Sequence, residues 1–469
     1  MRALNDTIKN KADILAVILL AIAAPYFIAK GQYQIIGLGI LFLILVLIRP
    51  IYPLYLFSLV FWIPRQVKKY FLEDILIHAN ATELFFYGIL LLYIITKALK
   101  KERVVFKAPL LKFLFIFIFG SLIAYLAGDA PDRILDYMLF RKNCIYGVLI
   151  YIAMVNFVRG ETDAERILTC LIIGSLILGL FIFHGFYFGL GSLEETDEGR
   201  VGGSFILYGK QAFGLTCMAL AGQAATIIPL SLAFFLMAKK RYVRLASFVA
   251  FSGFILILIG TMTRSAWISA VLGIIAVSIF WFRFSSLERK TAVANIFYLI
   301  LFIIAVGVGI YIMLYLNPEI ISRAESLRYF TTDLSLLTRV DIWFSGLKTF
   351  LANPFGMGFR EVYPLEVSLV YPHSLYVGIL LSSGFIAAFG FFGFLYKWLK
   401  KIFTAMMLAE SRPAKAIFVG AIGTLTSFLF YGLFEYLAFS PDATMVPVWI
   451  ILGVTIALCG NTPTNKQTR

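Results

Sequence analysis

Long apolar runs separated by short polar breaks fill most of the chain, and their length sets the first expectation. Fourteen segments read as helices crossing a membrane: 12–29, 33–49, 51–64, 82–97, 109–127, 144–158, 167–190, 211–237, 243–261, 265–282, 293–316, 374–396, 416–434 and 445–459. A helix needs about 20 apolar residues to span the ~30 Å hydrocarbon core, and inside that core the backbone must satisfy its own hydrogen bonds. The pattern therefore predicts an all-α polytopic membrane protein. Segment 51–64 is short and follows Arg49-Pro50 directly, which leaves a tilted or re-entrant piece as an alternative and the expected count at 12 to 14 helices.

The longest polar interruption is 317–373. It holds Arg323, Arg328, Thr338-Arg339-Val340-Asp341-Ile342-Trp343, Asn353-Pro354-Phe355-Gly356-Met357-Gly358 and Tyr371-Pro372-His373-Ser374. Val340, Trp343, Leu347 and Phe350 recur at helical spacing, so an amphipathic helix is predicted to begin at Arg339. No internal repeat and no separate soluble domain is visible. Residues 1–469 read as one integral membrane domain with 317–373 as its large outer loop.

Composition supports this reading. The chain is 61% hydrophobic and 14% charged, whereas soluble proteins carry about a quarter charged residues. A net charge of +15 would suggest nucleic acid in a soluble protein. Here the positive-inside rule accounts for it, and no nucleic-acid partner is expected. With the N-terminus cytoplasmic, the clusters Lys97/Lys100/Lys101/Arg103/Lys107, Lys239/Lys240/Arg241/Arg244, Arg283/Arg289/Lys290 and Lys397/Lys400/Lys401/Arg412/Lys415 fall inside. Only fifteen of the 41 Lys and Arg then lie outside, five of them in the long loop. Both termini are predicted to be cytoplasmic, with Arg65, Lys68 and Lys69 running against the rule. The outer face receives the larger connections 65–81, 128–143, 191–210 and 317–373. Basic Arg2, Lys9 and Lys11 before Ala21-Ile22-Ala23 imitate a cleavable signal, but the apolar run continues to Ala29, so a retained first helix is expected. Cys144, Cys170, Cys217 and Cys459 have no ligand spacing and read as small buried hydrophobes.

This topology, drawn without reference to them, places Arg200, Arg264, Arg339 and His373 at one membrane face. Arg264 sits where two apolar spans meet, a costly position unless the charge is paired, faces a polar cavity or anchors a helix end. Arginine's planar fork suits phosphate oxygens. Arg339 could instead pair with Asp341 or Glu361, and Arg200 with the acidic run 194–198. A neutral imidazole such as His373 can take a proton from an attacking hydroxyl, and a histidine hydrogen-bonded at the membrane interface is the alternative. His184, among Phe183, Phe186 and Tyr187, reads as that interfacial case. No Walker, HExxH or Gly-Xaa-Ser-Xaa-Gly motif and no paired acidic motif is present, so neither cofactor nor metal is expected. Hardly any ionisable residue lies mid-span, which argues against an ion-coupled transporter.

The ordered series Arg200-Val-Gly-Gly-Ser-Phe, Thr263-Arg264-Ser-Ala-Trp, Arg339-Val-Asp-Ile-Trp, Asn353-Pro-Phe-Gly-Met-Gly and His373-Ser-Leu-Tyr resembles the O-antigen ligase and polymerase family, at motif level over about 195–395. The resemblance implies a GT-C-like glycosyltransferase of the bacterial inner membrane, its site facing the periplasm. Such an enzyme moves a glycan from an undecaprenyl-pyrophosphate donor to an acceptor hydroxyl. It also implies that Arg200, Arg264 and Arg339 bind the donor pyrophosphate and that His373 acts on the acceptor, lipid A–core or another glycan. The chain departs from the family pattern at Tyr208-Gly209-Lys210 and at Ser374. A polymerase would handle two anionic substrates. Arg133, Arg141 and Lys142 form no second arginine motif, which favours the ligase. A lipid-linked glycan exporter or flippase would call for a polar path between leaflets and often a repeat, and neither is evident.

Overall fold

The computed structural model describes residues 49, 51–60, 85–91, 93–94, 106–128, 133–188, 191–192, 203–207, 210–285, 307, 311, 315, 319–325, 334–360, 363–364, 369–370, 372–435 and 445–460. The expected spans 12–29, 33–49 and 293–316 fall wholly or almost wholly outside them, as does Arg200. In chain order the helices are α1 (Tyr52–Val60), α2 (Leu111–Ala127), α3 (Arg133–Phe140), α4 (Tyr146–Phe157), α5 (Glu161–Phe188), α6 (Cys217–Met237), α7 (Arg241–Gly260) and α8 (Arg264–Ser285). They continue with α9 (Glu319–Glu325), α10 (Leu334–Ala352), α11 (Leu375–Leu408), α12 (Arg412–Phe434) and α13 (Met445–Cys459). Among the described residues seven helices are long and apolar enough to cross a membrane, and α2 and α13 are shorter apolar helices. The protein is an all-α polytopic membrane protein.

Among the described residues two small antiparallel sheets ornament the connections. One pairs β1 (Gly191–Ser192), β2 (Gly203–Leu207) and β3 (Lys210–Leu215) in that order, and the other pairs β4 (Tyr363–Pro364) with β5 (Leu369–Val370). Residues 211–215, expected to open a span, are therefore strand, and the helix starts at Cys217 after Thr216. The Thr216 hydroxyl caps it by accepting from the Ala219 N–H at 3.2 Å. The 128–143 connection is corrected too. Its second half is α3, which runs through a π turn at Arg141–Ile145 into α4 as one 25-residue helix, Arg133–Phe157. Among the polar residues that suggested a loop, buried Asp136 accepts through Oδ1 from the Phe359 N–H at 2.6 Å.

The central helix is α6, buried without interruption from Leu220 to Met237. Pro229 lies within it, so no N–H at that position can reach the Ala225 carbonyl one turn earlier. The Ser427 hydroxyl of α12 donates to that carbonyl instead, at 2.7 Å. Thr424 donates likewise to the Thr226 carbonyl at 2.8 Å and Tyr431 to that of Met218 at 2.9 Å. Glycines let the three helices close around the proline: a Cβ on Gly273 would meet the Pro229 ring at 2.4 Å. Ser427→Ala is expected to destabilise the protein by ~1–3 kcal/mol, the usual cost of a buried acceptor without a donor. Pro229→Ala restores an N–H for Ala225 and should shrink that cost, a non-additivity readable by thermal unfolding in detergent.

Helix polarity defines two ends. At one, Tyr55 donates to Asp163 at 2.8 Å, Ser411 donates to Glu161 at 2.6 Å, and Lys240 pairs with Glu165. At the opposite end lie the α7–α8 junction, the start of α11 and the end of α12.

Candidate functional site

The end of α12 supplies the centre. Its chain leaves the helix at Glu435, whose carboxylate is 2% exposed. Glu435 Oε1 accepts from the Arg339 guanidinium at 2.9 Å, and Oε2 lies 3.7 Å from His373 Nδ1. One carboxylate thus bridges two of the residues expected at the site.

Arg339 is delivered by α10, which starts at Leu334, five residues before the predicted start at Arg339. Ile342 of this helix packs on Val377 and Leu381 of α11, with Trp343 and Phe350 at the margin, while Leu347 stays exposed. Asp341, two positions on, faces away from Arg339, and the guanidinium takes Glu435 instead. One turn later on the same face, Trp343 donates its indole N–H to the His373 carbonyl at 3.3 Å. Its ring stands 5.9 Å from that of Phe434. One face of α10 therefore fixes both ends of the constellation.

His373 itself has φ +42°, a left-handed conformation unusual for a residue with a side chain. Such a conformation costs ~1–3 kcal/mol and survives where surrounding contacts impose it. Here the Trp343 bond holds the carbonyl and α11 begins two residues on. A carboxylate opposite Nδ1 favours the tautomer protonated there, leaving the Nε2 lone pair to accept a proton. The 3.7 Å separation is longer than a hydrogen bond.

Asn353-Pro-Phe-Gly-Met-Gly, read from sequence only as one part of the family resemblance, has a physical task. Helix α11 is broken at Gly384 (φ +74°, ψ −179°). In an unbroken helix the Phe385 N–H would bond the Leu381 carbonyl. Here the Phe385 N–H donates to the Pro354 carbonyl at 3.0 Å, and the Leu381 carbonyl accepts from the Met357 N–H at 2.7 Å. The segment replaces the missing rung. It fits because glycines face each other: a Cβ on Gly384 would fall 2.3 Å from the Phe355 carbonyl carbon, and one on Gly356 2.7 Å from the Gly384 nitrogen. The next residues are held by Asp136 through the Phe359 N–H.

Arg264 is the first residue of α8, after buried Thr261 and Thr263 and the left-handed Met262 (φ +50°). Ile320 of α9 packs on Met262, so part of the 317–373 loop folds over this junction. The junction shares its end of the bundle with Glu435 and His373. Arg200 lies outside the described residues, and His184 falls in α5, in a stretch whose side chains lie outside them as well. Among the described residues no group of three or more His, Cys, Asp or Glu could hold a metal ion.

Glu435 was the residue missed by sequence reasoning. Its signal was a lone carboxylate closing an apolar span at the face where the arginines and His373 were expected.

A multi-pass helical membrane protein with a carboxylate, an arginine and a histidine gathered at one end is the class these observations define. Residues 248–392 match the family model described as O-Antigen ligase. That similarity, over less than a third of the chain, supports a glycan-transfer role of the ligase or polymerase type. The matched stretch contains Arg264, Arg339, the glycine motif and His373. Arg200 and Glu435 lie beyond it. No curated protein matches the chain.

Proposed function

We propose that the protein transfers a glycan from an undecaprenyl-pyrophosphate carrier to an acceptor hydroxyl, with lipid A–core as acceptor, at the periplasmic face of the inner membrane. The observation that carries this reading is the bridge Arg339–Glu435–His373. His373 Nε2 takes the proton as the hydroxyl attacks the anomeric carbon, inverting that centre. Glu435 orients the imidazole and stabilises it once protonated. Arg339, with Arg264 and Arg200, offsets the charge that grows on the departing pyrophosphate. The pyrophosphate leaves with the electron pair of the broken glycosidic bond, and a diphosphate is a good leaving group without assistance from a metal. Membrane lipids surround the site, and no cofactor enters the scheme.

The polymerase of the same family is the second reading. It would join two lipid-linked repeat units and so bring two anionic substrates to one site. Purified protein in detergent, given lipid-linked glycan and lipid A–core, is expected to yield the joined product. Chain growth with the acceptor omitted would identify a polymerase instead, and no product under either condition would favour an exporter or flippase. His373→Ala should lower turnover ~10²–10⁴-fold, the range of general-base catalysis, with the unfolding temperature little changed. Wild-type turnover in a folded His373→Ala variant would remove the assigned role.

A further inference from the structure

Helix α10 carries more apolar surface than α11 covers. Its packed face is Ile342, Trp343 and Phe350, set on Val377 and Leu381. A second line of apolar side chains runs beside that face. Leu337, Phe344 and Leu351 recur at two-turn intervals and so stack on one side of the helix, with Leu347 next to them. All four are exposed, Phe344 at 64% and Leu351 at 74%. Thr338 and Asp341, also exposed, occupy a third side. Single apolar residues at a surface need no explanation, but a continuous line of them marks a contact.

Two observations say what the line meets. The first is depth. α11 has 34 residues, more than the about 20 that span a hydrocarbon core. Exposed Lys397, Lys400 and Lys401 mark the level at which its C-terminal part leaves the apolar layer. Counting back about 20 residues from Lys397 reaches Val377, where α10 packs. α10 therefore lies across the far edge of the apolar layer. The second observation is continuity. Phe355, just beyond the end of α10 and exposed, has its ring 5.7 Å from that of Phe385. Phe385 and Phe389, one turn apart on α11, are exposed as well. The line on α10 thus continues through Phe355 onto the lipid-facing side of a membrane-spanning helix.

We propose that α10 is an interfacial helix. Leu337, Phe344, Leu347 and Leu351 are seated among the acyl chains of the leaflet on the Glu435 side, and Thr338 and Asp341 are turned to headgroups and water. An apolar stripe beside a polar face is the pattern of helices that lie in the plane of a bilayer. The partner is bilayer phospholipid whatever its headgroup, because the stripe offers hydrocarbon contact alone. This contact takes no part in the transfer reaction, so it stands or falls independently of it.

The test uses full-length protein in liposomes of phosphatidylethanolamine and phosphatidylglycerol, with no glycan donor present. Benzoylphenylalanine is placed singly at Phe344, Leu351, Thr338 and Asp341, and the irradiated samples are read by intact mass. Phe344 and Leu351 should give phospholipid adducts at several times the yield of Thr338 and Asp341. The same ratio should appear in phosphatidylcholine liposomes. Hydroxyl-radical labelling of the unsubstituted protein reads the same surface without a variant: Phe344 and Leu351 should stay largely unlabelled in liposomes. Equal adduct yields at the four positions, or rapid labelling of Phe344 and Leu351, would overturn the proposal and put the stripe in water. Crosslinks between two copies at Phe344 or Leu351, in place of lipid adducts, would also overturn it, assigning the stripe to self-association.

Discussion

Glu435→Gln is expected to abolish most glycan transfer, lowering turnover by ~10²–10⁴-fold, the scale seen when a base loses its orienting carboxylate. Glutamine keeps the length and one acceptor oxygen, so the fold around the end of α12 has little reason to rearrange. What disappears is the charge shared by Arg339 at 2.9 Å and His373 at 3.7 Å. Stripping one partner from a buried pair costs ~3–5 kcal/mol. The cost should be smaller here because Arg339 keeps 19% of its side chain exposed. Activity should therefore fall much further than stability. Groups acting as a unit are non-additive, so Arg339→Gln combined with Glu435→Gln should be little worse than the more damaging single change. Independent, additive losses in turnover would show that the carboxylate merely fills space, and the proposed mechanism would lose its centre.

Much of the frame was legible because a bilayer imposes length and apolarity directly on sequence. The span 445–459 coincides with α13, and 109–127 and 416–434 differ from α2 and α12 by a few residues at one end. Periodicity failed where it had no purchase. Gln211-Ala212-Phe213-Gly214-Leu215 is as apolar in a strand as in a helix, and short runs cannot be told apart by hydropathy. The charges of Arg133, Asp136, Arg141 and Lys142 made helical residues look like loop, although Arg133 lies 3.9 Å from Asp136 one turn on and Arg141 stands over the Tyr137 ring. Asp136 Oδ1 also accepts from the Phe359 N–H, far along the sequence.

The site divides in the same way. Arg339 and His373 could be named from local motifs, and the expected topology put them on one face. Their meeting through Glu435 could not be read, because Arg339 and Glu435 stand 96 positions apart with no periodic relation. The pairing of Arg339 with Asp341 or Glu361 was the local guess, and a long-range contact replaced it. The break in α11 was equally hidden. Ser382-Ser383-Gly384-Phe385 interrupts neither the hydropathy nor the helical spacing, and the carbonyl it frees is taken up by a segment preceding it in sequence.

That break supplies the second large effect, expected from Gly384→Ala. Alanine is a better helix former than glycine by ~1 kcal/mol, so on propensity alone the change would stabilise α11. The structure predicts the reverse. Gly384 has φ +74°, where a side chain is strained, and the new methyl would fall 2.3 Å from Phe355 and 2.8 Å from the Gly356 nitrogen. If α11 straightens, the Leu381 carbonyl returns to the Phe385 N–H, and Pro354 and Met357 lose their partners. Residues 353–358 then leave the break, and α10, which ends at Ala352, leaves with them. Arg339 and Trp343 travel on that helix, so their bonds to Glu435 and to the His373 carbonyl go together. Transfer should fall at least 10²-fold, the loss that follows when reacting groups are misplaced by about 1 Å. Hydrogen exchange should show faster opening at 339–358 while α6 and α12 stay protected. Gly356→Ala, which threatens the same contact from the other side, should reproduce both effects. Full activity in either variant with exchange unchanged would mean that α10 is held by its apolar packing on α11 alone, and that the glycine motif does not set the geometry at Glu435.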